Sequence, residues 1–142
     1  MITLFTGPMF SNKSGRLIET YRDIYNTDKI LCFKPSKDSR DKTKIISRTY
    51  CRTIEAIVIS SFNDILKYLD DEKKVIFIDE VSFLSGNSKI LLELSNKGYE
   101  IYVAGLLLDS DLNIFGETSK IMYFADKVEI LESSCTYCRK KS

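Results

Sequence analysis

The amino-acid sequence predicts an α/β fold with an open, mostly parallel sheet and helices on both faces. Short apolar runs alternate along the chain with stretches in which apolar residues recur every three or four positions. Residues 75–78 form a continuous run of β-branched and aromatic residues, which is typical of a central strand covered on both faces. The first apolar run leads through a turn into a helical stretch. The fold class follows from these three features.

Length and composition are those of one globular domain. The 142 residues suffice for a single sheet with helices on its faces. Hydrophobic residues make up 44% of the chain and charged residues 29%, which is ordinary for a folded protein and argues against disorder. The net charge of +1 gives no electrostatic reason to expect binding to nucleic acid or to an acidic membrane.

Targeting signals and cysteine usage indicate the compartment. The N-terminal apolar run is too short for a signal peptide, and no stretch approaches the length of a membrane span. Because there is no secretion signal, the four cysteines are expected to be reduced thiols or metal ligands. We therefore expect a cytoplasmic protein. The chain has no histidine, which excludes imidazole-based catalysis.

The first half of the chain is predicted to contain two strands and one helix. The apolar run 2–5 indicates a buried strand, and spacings of three and four predict an amphipathic helix over 13–26. A second short strand is predicted at 29–34. The polar segment 36–43 is expected to form a loop at the edge of the sheet where α/β folds bind ligands. Residues 45–52 are poorly periodic and indicate irregular structure or a weak strand.

The second half continues the alternation of strands and helices. Ser61 predicts the start of a helix because Asp64 follows three residues later, and Leu66 belongs to the apolar side of that helix. The predicted elements are, in order, a strand at 56–59, a helix from 61, a strand at 73–78 followed by two acids, a helix at 85–97 ended by Gly98, a strand at 99–105, and two short elements at 121–124 and 127–131.

The turn after the first strand resembles a phosphate-binding loop. In the pattern G-x-x-x-x-G-K-[ST], Gly7, Lys13 and Ser14 match, whereas Asn12 replaces the second glycine. In such loops the lysine reaches the β- and γ-phosphates and the hydroxyl binds Mg²⁺. Asparagine tolerates the left-handed backbone region well, so the turn itself is compatible with Asn12. An ordinary strand-to-helix turn is the alternative interpretation.

Two acids at the end of the central strand are the natural companions of this loop. Asp79 follows the apolar run directly and is predicted to hold the Mg²⁺ shell, directly or through water. The adjacent Glu80 is a candidate general base for an acceptor hydroxyl. The alternative is two solvated acids at a strand end, which many α/β proteins have. The presence of Lys13 and Ser14 at the expected sequence distance favours the functional interpretation.

Several segments resemble motifs of the type II thymidine kinase family. Residues 7–14 (GPMFSNKS) are similar to the GPMFSGKS phosphate loop of that family. Residues 33–40 (FKPSKDSR) are similar to FKPxxDxR, and residues 78–83 (IDEVSF) are similar to IDEAQFF.

The same resemblance continues to the end of the chain. Residues 103–106 (VAGL), with Phe115 and a glycine further on, are similar to VAGLDxDFxxxPFG. Residues 125–128 (ADKV), followed by Cys135 and Cys138, are similar to the strand that leads into the first cysteine pair of the zinc site in that family. The five motifs occur in the right order at compatible spacings and cover nearly the whole chain.

This resemblance implies a fold of the phosphate-loop NTPase class and phosphoryl transfer from ATP to the 5′-hydroxyl of thymidine or deoxyuridine. Carried over by position, Glu80 is the catalytic base, and Met9 and Phe115 lie near the nucleoside pocket. For Met9 a loop or core position is the alternative, and for Arg40 a solvated charge. The implied ATP- and phosphate-binding residues are Gly7, Met9, Ser11, Asn12, Lys13, Ser14 and Arg40, and the implied Mg²⁺ residues are Ser14, Asp38 and Asp79.

The sequence also departs from the family pattern. Asn12 replaces a glycine, and Ser82 stands where the family has glutamine. Cys135 and Cys138 supply two ligands, whereas tetrahedral zinc needs four. We therefore expect a kinase core at 1–134 and, at 135–142, a remnant of the zinc and lasso region in which an intact zinc site would need another chain or a nearby cysteine. Free thiols or a disulfide are the alternative.

Two classes of function remain open from the sequence. The first is an ATP-dependent thymidine kinase, weakened by the loop substitution and the missing lasso. The second is a catalytically impaired descendant that binds a nucleotide or only a partner protein. A bare ATP-hydrolysing module is disfavoured because nothing resembles a water-positioning device. The expected partners are small-molecule nucleotide and nucleoside, with no nucleic acid and no membrane, and the family tendency to form tetramers leads us to expect a homo-oligomer.

Overall fold

A computed structural model gives the fold of most of the chain. It describes residues 1–7, 13–24, 29–36, 44–47, 52–69, 73–106 and 117–131. Within these ranges six strands form one parallel sheet in the order β5-β2-β6-β7-β1-β8. The strands are β1 (Ile2–Gly7), β2 (Lys29–Pro35), β5 (Ile57–Ile59), β6 (Lys73–Ile78), β7 (Glu100–Leu106) and β8 (Lys127–Ile130).

A separate hairpin and several helices complete the described part of the chain. The hairpin pairs β3 (Lys44–Ser47) with β4 (Arg52–Glu55) in an antiparallel manner. The α-helices are α1 (Lys13–Ile24), α2 (Lys89–Asn96) and α3 (Thr118–Phe124), and two 3₁₀ helices span Phe62–Tyr68 and Val81–Phe83. None of the helices in the described ranges is long and apolar enough to cross a membrane.

Helices cover the sheet on both faces because the strands are apolar on both faces. Alternate residues of a strand point to opposite sides, so each central strand contributes to two cores. On one side α1 packs its Leu17 and Ile18 against a cluster that contains Phe5 and Phe77. The other side packs against α2, α3 and the first 3₁₀ helix, and its buried residues include Leu4, Ile76, Ile65, Leu91 and Ile121. The predicted α/β fold is confirmed.

The strand order determines which strand ends lie next to each other at the carboxyl edge of the sheet. β7 lies between β1 and β6, with Gly7 opposite Leu106 and Val103 opposite Ile78. Because all six strands are parallel, their carboxyl ends meet at one edge of the sheet. The carboxyl ends of β1 and β6 therefore lie on either side of the end of β7.

Two predicted helices differ from the observed ones. The segment after Ser61 is a 3₁₀ helix, in which side chains three apart line up, and Phe62 and Ile65 are the buried pair. Leu66, predicted to be on the apolar side, is 49% exposed. The α-helix predicted from 85 begins at Lys89, because Ser85 is in an extended bridge with Ser61, in which its N–H donates to the Ser60 carbonyl and its carbonyl accepts the N–H of Phe62.

The segment 45–52, predicted as irregular structure or a weak strand, overlaps the hairpin at 45–47 and at Arg52. Pairing runs from Lys44 opposite Glu55 to Ser47 opposite Arg52. Strands of four residues carry too little periodicity for a pattern to predict them. Helix α1 is described from Lys13 to Ile24, and its predicted end at 26 lies outside the described residues.

Candidate functional site

A contact between Ser14 and Asp79 defines the candidate site. Ser14 is the second residue of α1, and Asp79 directly follows β6. The Ser14 hydroxyl oxygen lies 2.9 Å from Oδ1 and 2.9 Å from Oδ2 of Asp79, to which it donates its proton. The two residues are 65 positions apart in sequence. The fold therefore brings the end of the candidate phosphate loop to the acid at the end of the central strand.

The direction of the Asp79 side chain follows from the strand that precedes it. Phe77 belongs to the core beneath α1, whereas Ile78 belongs to the opposite core. Asp79 continues this alternation and faces α1. Its backbone N–H donates to the carbonyl of Phe33 at 3.0 Å, which extends the ladder between β6 and β2 by one residue. The carboxylate is thus held on a rigid strand end and not on a free loop.

The donor atoms at this contact suit magnesium. Mg²⁺ prefers oxygen ligands and is usually bound by one or two carboxylates together with substrate phosphates and water. Asp79 is 3% exposed, and a buried carboxylate needs hydrogen bonds or a cation. In the part of the chain that the structure describes, no group of three or more Cys, Asp or Glu side chains is placed to hold a metal by protein ligands alone. The arrangement fits an ion shared with phosphates.

Glu80 has an unusual backbone. Its φ of 50° and ψ of 43° lie in the left-handed region, and within the described ranges it is the non-glycine residue with positive φ. Such a conformation costs on the order of 1 to 3 kcal/mol and occurs preferentially at functional sites. The carbonyl of Glu80 accepts the N–H of Phe83 at 3.0 Å, so the strand turns immediately into the second 3₁₀ helix. Glu80 is half-buried at the carboxyl edge.

A hydroxyl behind these acids joins three elements. Ser82 Oγ accepts the N–H of Leu106 at 2.8 Å and donates to the Leu106 carbonyl at 3.0 Å. It also lies 3.0 Å from Oγ1 of Thr118 at the start of α3. One donor and two acceptor positions are all that a hydroxyl has, and here all are used. Ser82 therefore fixes the segment after Asp79 against the end of β7 and α3.

Gly105 is needed here because the chain segments approach closely. A Cβ at this position would lie 2.5 Å from Cγ1 of Val81, 3.0 Å from Oγ1 of Thr118 and 3.1 Å from Oγ of Ser82. The first distance is shorter than any real contact between carbon atoms, so a side chain would push β7 away from the segment that follows Asp79.

A comparison with protein families identifies the family to which the chain belongs. The family model described as Thymidine kinase matches residues 1–142, which is the whole chain. The chain belongs to the thymidine kinase family. This membership confirms the resemblance drawn from the five motifs, and the parallel sheet is consistent with the fold that the resemblance implied.

In this thymidine kinase family member, Glu117 joins the two helices on the face opposite α1. Its Oε1 accepts the N–H of Ser88 at 2.9 Å, at the start of α2, and its Oε2 lies 3.0 Å from Nζ of Lys120. Burial raises the pKa of Glu117, but the Ser88 N–H and Lys120 outweigh it, so the pKa lies below its usual value. Glu117 directly precedes α3 in the sequence.

Arg16 ties α1 to the edge of the sheet. Its Nε lies 3.0 Å from Oε2 of Glu129 on β8, and its guanidinium carbon lies 5.2 Å from the centre of the Phe5 ring. The charged side chains are about one-third exposed, so the ion pair itself is weak, but the guanidinium over the Phe5 ring adds a cation–π contact. Arg16 therefore serves as a packing contact between α1 and the edge of the sheet.

The structure brings together part of the predicted site. Gly7, Lys13, Ser14, Asp79 and Glu80 lie at the carboxyl edge formed by β1, β7 and β6. The predicted site residues outside the described ranges are Met9, Ser11, Asn12, Asp38, Arg40, Phe115, Cys135 and Cys138.

Sequence reasoning missed the positions of Ser82 and Lys34. Ser82 was noted only as a departure from the family glutamine, yet its hydroxyl anchors the site from behind. Lys34 belongs to the predicted strand 29–34 and to the FKPSKDSR segment, neither of which predicts a buried lysine, yet it is 1% exposed. The available signal for Lys34 was a lysine between Phe33 and Pro35 near the carboxyl end of a buried strand.

Proposed function

We propose that this protein is an ATP-dependent thymidine kinase that transfers the γ-phosphoryl group of ATP to the 5′-hydroxyl of thymidine or deoxyuridine. The observation that supports this most directly is the contact of the Ser14 hydroxyl with both oxygens of Asp79. Kinases of the phosphate-loop class hold their metal with this pair of residue types, one from the loop and one from a neighbouring strand.

The residues of the contact have separate roles in the proposal. Lys13, the first residue of α1, neutralises charge on the β- and γ-phosphates. Ser14 and Asp79 carry the oxygen atoms that would hold Mg²⁺, which when bound neutralises the charge of the phosphates. The N-terminus of α1 adds a favourable dipole for an anion. Catalysis by positioning and charge needs these groups to be fixed, and the strand and helix ends fix them.

Glu80 is the general base in this proposal. Its carboxylate takes the proton of the 5′-hydroxyl as the hydroxyl oxygen forms a bond to the γ-phosphorus. The bond between the γ-phosphorus and the bridging oxygen breaks, and ADP leaves. The left-handed backbone of Glu80 supports this assignment, because strained conformations of non-glycine residues occur preferentially at functional sites.

The remaining assignments rest on the family resemblance. We propose that Gly7, Met9, Ser11, Asn12 and Arg40 complete the ATP site, with Asp38 near the metal and Phe115 near the nucleoside. We propose the kinase core at 1–134 and place Cys135 and Cys138 as half of a zinc site whose other ligands this segment does not supply. We also propose that the protein acts in the cytoplasm as a homo-oligomer.

The direct test is transfer of labelled γ-phosphate from ATP to thymidine and to deoxyuridine in the presence of Mg²⁺. Glu80→Gln should lower kcat by about 10²- to 10⁴-fold, because it removes the proton acceptor and preserves shape. Lys13→Ala should lower kcat/KM by about 10²-fold or more, because it removes the positive charge that stabilises the transferred phosphoryl group. The matched control is Glu93→Gln on α2, where the carboxylate is exposed and the rate should not change.

The outcomes separate the proposed kinase from an impaired descendant. Transfer that is lost in Glu80→Gln and retained in Glu93→Gln supports the kinase with Glu80 as base. Transfer that survives Lys13→Ala unchanged contradicts the phosphate-loop assignment. Binding of Mg·ATP without transfer to either nucleoside indicates a nucleotide-binding descendant without kinase activity.

A further inference from the structure

Ser82 carries a buried hydroxyl two residues beyond the proposed base Glu80. It is 5% exposed and lies in the second 3₁₀ helix, Val81–Phe83. The family pattern has glutamine at this position, so the hydroxyl is a feature of this chain. Its hydrogen bonds go to β7 and to α3. These contacts indicate a role in holding the chain beside Glu80.

At Leu106 the Ser82 hydroxyl takes the place of a neighbouring strand. The ladder between β6 and β7 runs as far as Ile78 opposite Val103, three residues before Leu106. The N–H and C=O groups of strand residues ordinarily bond to the adjacent strand. Here Ser82 Oγ accepts the Leu106 N–H at 2.8 Å and donates to the Leu106 carbonyl at 3.0 Å. The segment after β6 therefore stays joined to β7 through a side chain.

Thr118 supports the same hydroxyl from α3. Its Oγ1 lies 3.0 Å from Ser82 Oγ, and Thr118 is fully buried as the first residue of α3. Because the Ser82 proton is directed at the Leu106 carbonyl, the Thr118 hydroxyl is the donor of the pair. Helix α3 is itself packed on the sheet through Ile121. Buried hydrogen bonds of this kind are unfavourable to break, so the two hydroxyls form a fixed anchor.

Glu80 lies between two anchors on opposite sides of β6. The N–H of Asp79 donates to the Phe33 carbonyl of β2 at 3.0 Å, whereas Ser82 is bonded to β7. In the sheet, β2 and β7 are the two neighbours of β6. The chain therefore crosses from one neighbour to the other within the few residues from Asp79 to Ser82. Glu80, with φ of 50° and ψ of 43°, is the residue at which it turns.

We infer that Ser82 is a positioning residue whose hydroxyl, supported by Thr118, maintains the left-handed backbone of Glu80 and so directs the Glu80 carboxylate. A left-handed glutamate is unfavourable by itself and persists where the surrounding structure imposes it. Ser82 imposes it from the side of β7. The consequence for catalysis rests on the proposed function, in which Glu80 accepts the proton of the 5′-hydroxyl.

A stability cycle tests this coupling without any enzyme activity. Glu80→Gly relieves the left-handed strain, so its effect on the free energy of unfolding should be more favourable in the parent than in Ser82→Ala, where the turn has already relaxed. The effect of glycine on the unfolded chain is the same in both backgrounds and cancels. Ser95→Ala on α2 is the matched control and should combine additively with Glu80→Gly. An effect of Glu80→Gly that is equal in both backgrounds, or more favourable in Ser82→Ala, overturns the inference.

Variants of Thr118 keep the test decisive if Ser82→Ala does not fold. Thr118→Val preserves the shape of the side chain and removes one hydrogen bond to Ser82, whereas Thr118→Ser keeps the hydroxyl. Glu80→Gly should be less favourable to stability in Thr118→Val than in the parent, and as favourable in Thr118→Ser as in the parent. Equal effects of Glu80→Gly in the two Thr118 variants contradict a role of this hydroxyl pair.

Kinetics test the positioning role. Ser82→Ala should lower kcat for transfer to thymidine about 10- to 100-fold with KM for ATP unchanged, because the base is displaced while the phosphate loop is intact. Glu80→Gln should then lower kcat by a smaller factor in Ser82→Ala than in the parent, since a displaced base has less to lose. Thr118→Ser should retain the parental kcat, and Thr118→Val should not.

The kinetic outcomes distinguish the inference from the proposed function. An unchanged kcat in Ser82→Ala overturns the positioning role, and so does an equal loss on Glu80→Gln in both backgrounds. Absence of transfer in the parent overturns the proposed function instead. In that case the stability cycle still decides whether Ser82 holds the backbone of Glu80.

Discussion

The backbone conformation of Glu80 is one that a glutamate side chain disfavours. A left-handed φ of 50° favours glycine or asparagine, yet the position carries a glutamate. The residues on both sides are buried and hydrogen-bonded, so the fold imposes the turn. A glutamate at such a turn lowers stability, and its presence is consistent with selection for the function of its carboxylate.

Substitutions at Glu80 should separate stability from activity. Glu80→Gly should maintain or raise Tm, because glycine adopts a positive φ without strain, but phosphate transfer should fall by at least about 10²-fold. Glu80→Val should lower the free energy of unfolding by about 1 to 2 kcal/mol, because a β-branched residue strongly disfavours this region. Thermal unfolding and the transfer assay measure both effects. A Glu80→Gly variant with full activity would contradict the base assignment.

Cys32 is the residue whose ionisation couples most clearly to folding. Burial raises the pKa of the Cys32 thiol to about 12. The thiol in the unfolded chain ionises at a lower pH, so the unfolded state releases its proton first. The stabilising contribution of the neutral thiol is therefore complete below the unfolded pKa and is lost as pH rises toward the folded pKa.

The alkaline unfolding of the parent and of Cys32→Ala should differ accordingly. Between about pH 8 and about pH 10.5, the free energy of unfolding of the parent should fall by about 2 kcal/mol more than that of Cys32→Ala. Denaturant unfolding at several pH values measures the slopes, and the variant controls for tyrosine and lysine titration. Parallel slopes would show that the thiol is not protected by burial.

At the level of elements, β7 holds the site together from the inside. It lies between the strand that leads into the candidate loop and the strand that ends at Asp79. Its end is fastened to the second 3₁₀ helix through Ser82, and Thr6 on β1 donates its hydroxyl to the Gly105 carbonyl at 2.8 Å. In addition to the ladder, side-chain hydrogen bonds therefore hold β1 and the helix that follows β6 to the end of β7.

Gly105→Ala should disturb this arrangement. The added Cβ meets Val81, so we expect a loss of about 1 to 3 kcal/mol in the free energy of unfolding and lower kcat, because the segment that carries Asp79 and Glu80 must move. Adding Val81→Ala removes the carbon atom that is struck and should recover part of the loss. Denaturant unfolding and the transfer assay test this. Additive losses in the double variant would show that Val81 is not the obstacle.

For the whole molecule, two cores on opposite faces of one sheet leave the carboxyl edge as the place where ligands are expected to bind. Ligand binding to the folded state alone raises stability by mass action. If the Ser14–Asp79 contact is the magnesium site, this stabilisation should depend on the metal and on the Ser14 hydroxyl.

Mg·ADP at about 100 times its Kd should stabilise the parent by about 2.7 kcal/mol, measured as a rise in Tm. With ADP and EDTA the rise should be much smaller. In Ser14→Ala the two conditions should give nearly the same Tm, because the hydroxyl ligand is missing, whereas Ser95→Ala on α2 should behave like the parent. An equal rise in Tm with Mg·ADP and with ADP plus EDTA in the parent would contradict a magnesium site at the Ser14–Asp79 contact.

Local patterns predicted most of the architecture. Apolar runs located the strands of the sheet, and helical spacing located α1 and α2, since both periods are properties of short segments. The helix predicted from Ser61 is of the 3₁₀ type, and the weak strand considered for 45–52 is part of a hairpin, because the exact form of four- to seven-residue elements is decided by their neighbours. Of the predicted site, the contact of Ser14 with Asp79 is observed, and several other members lie outside the described residues.

The sequence by itself determined the fold class, the order of the motifs and, through them, membership of the thymidine kinase family. Only the tertiary structure decided that β7 stands between β1 and β6, that Glu80 is left-handed and that the Ser82 hydroxyl bonds to β7 and α3. The physical reason is that periodicity and turn chemistry act over a few residues, whereas strand order and register are set by how both cores pack around the whole sheet.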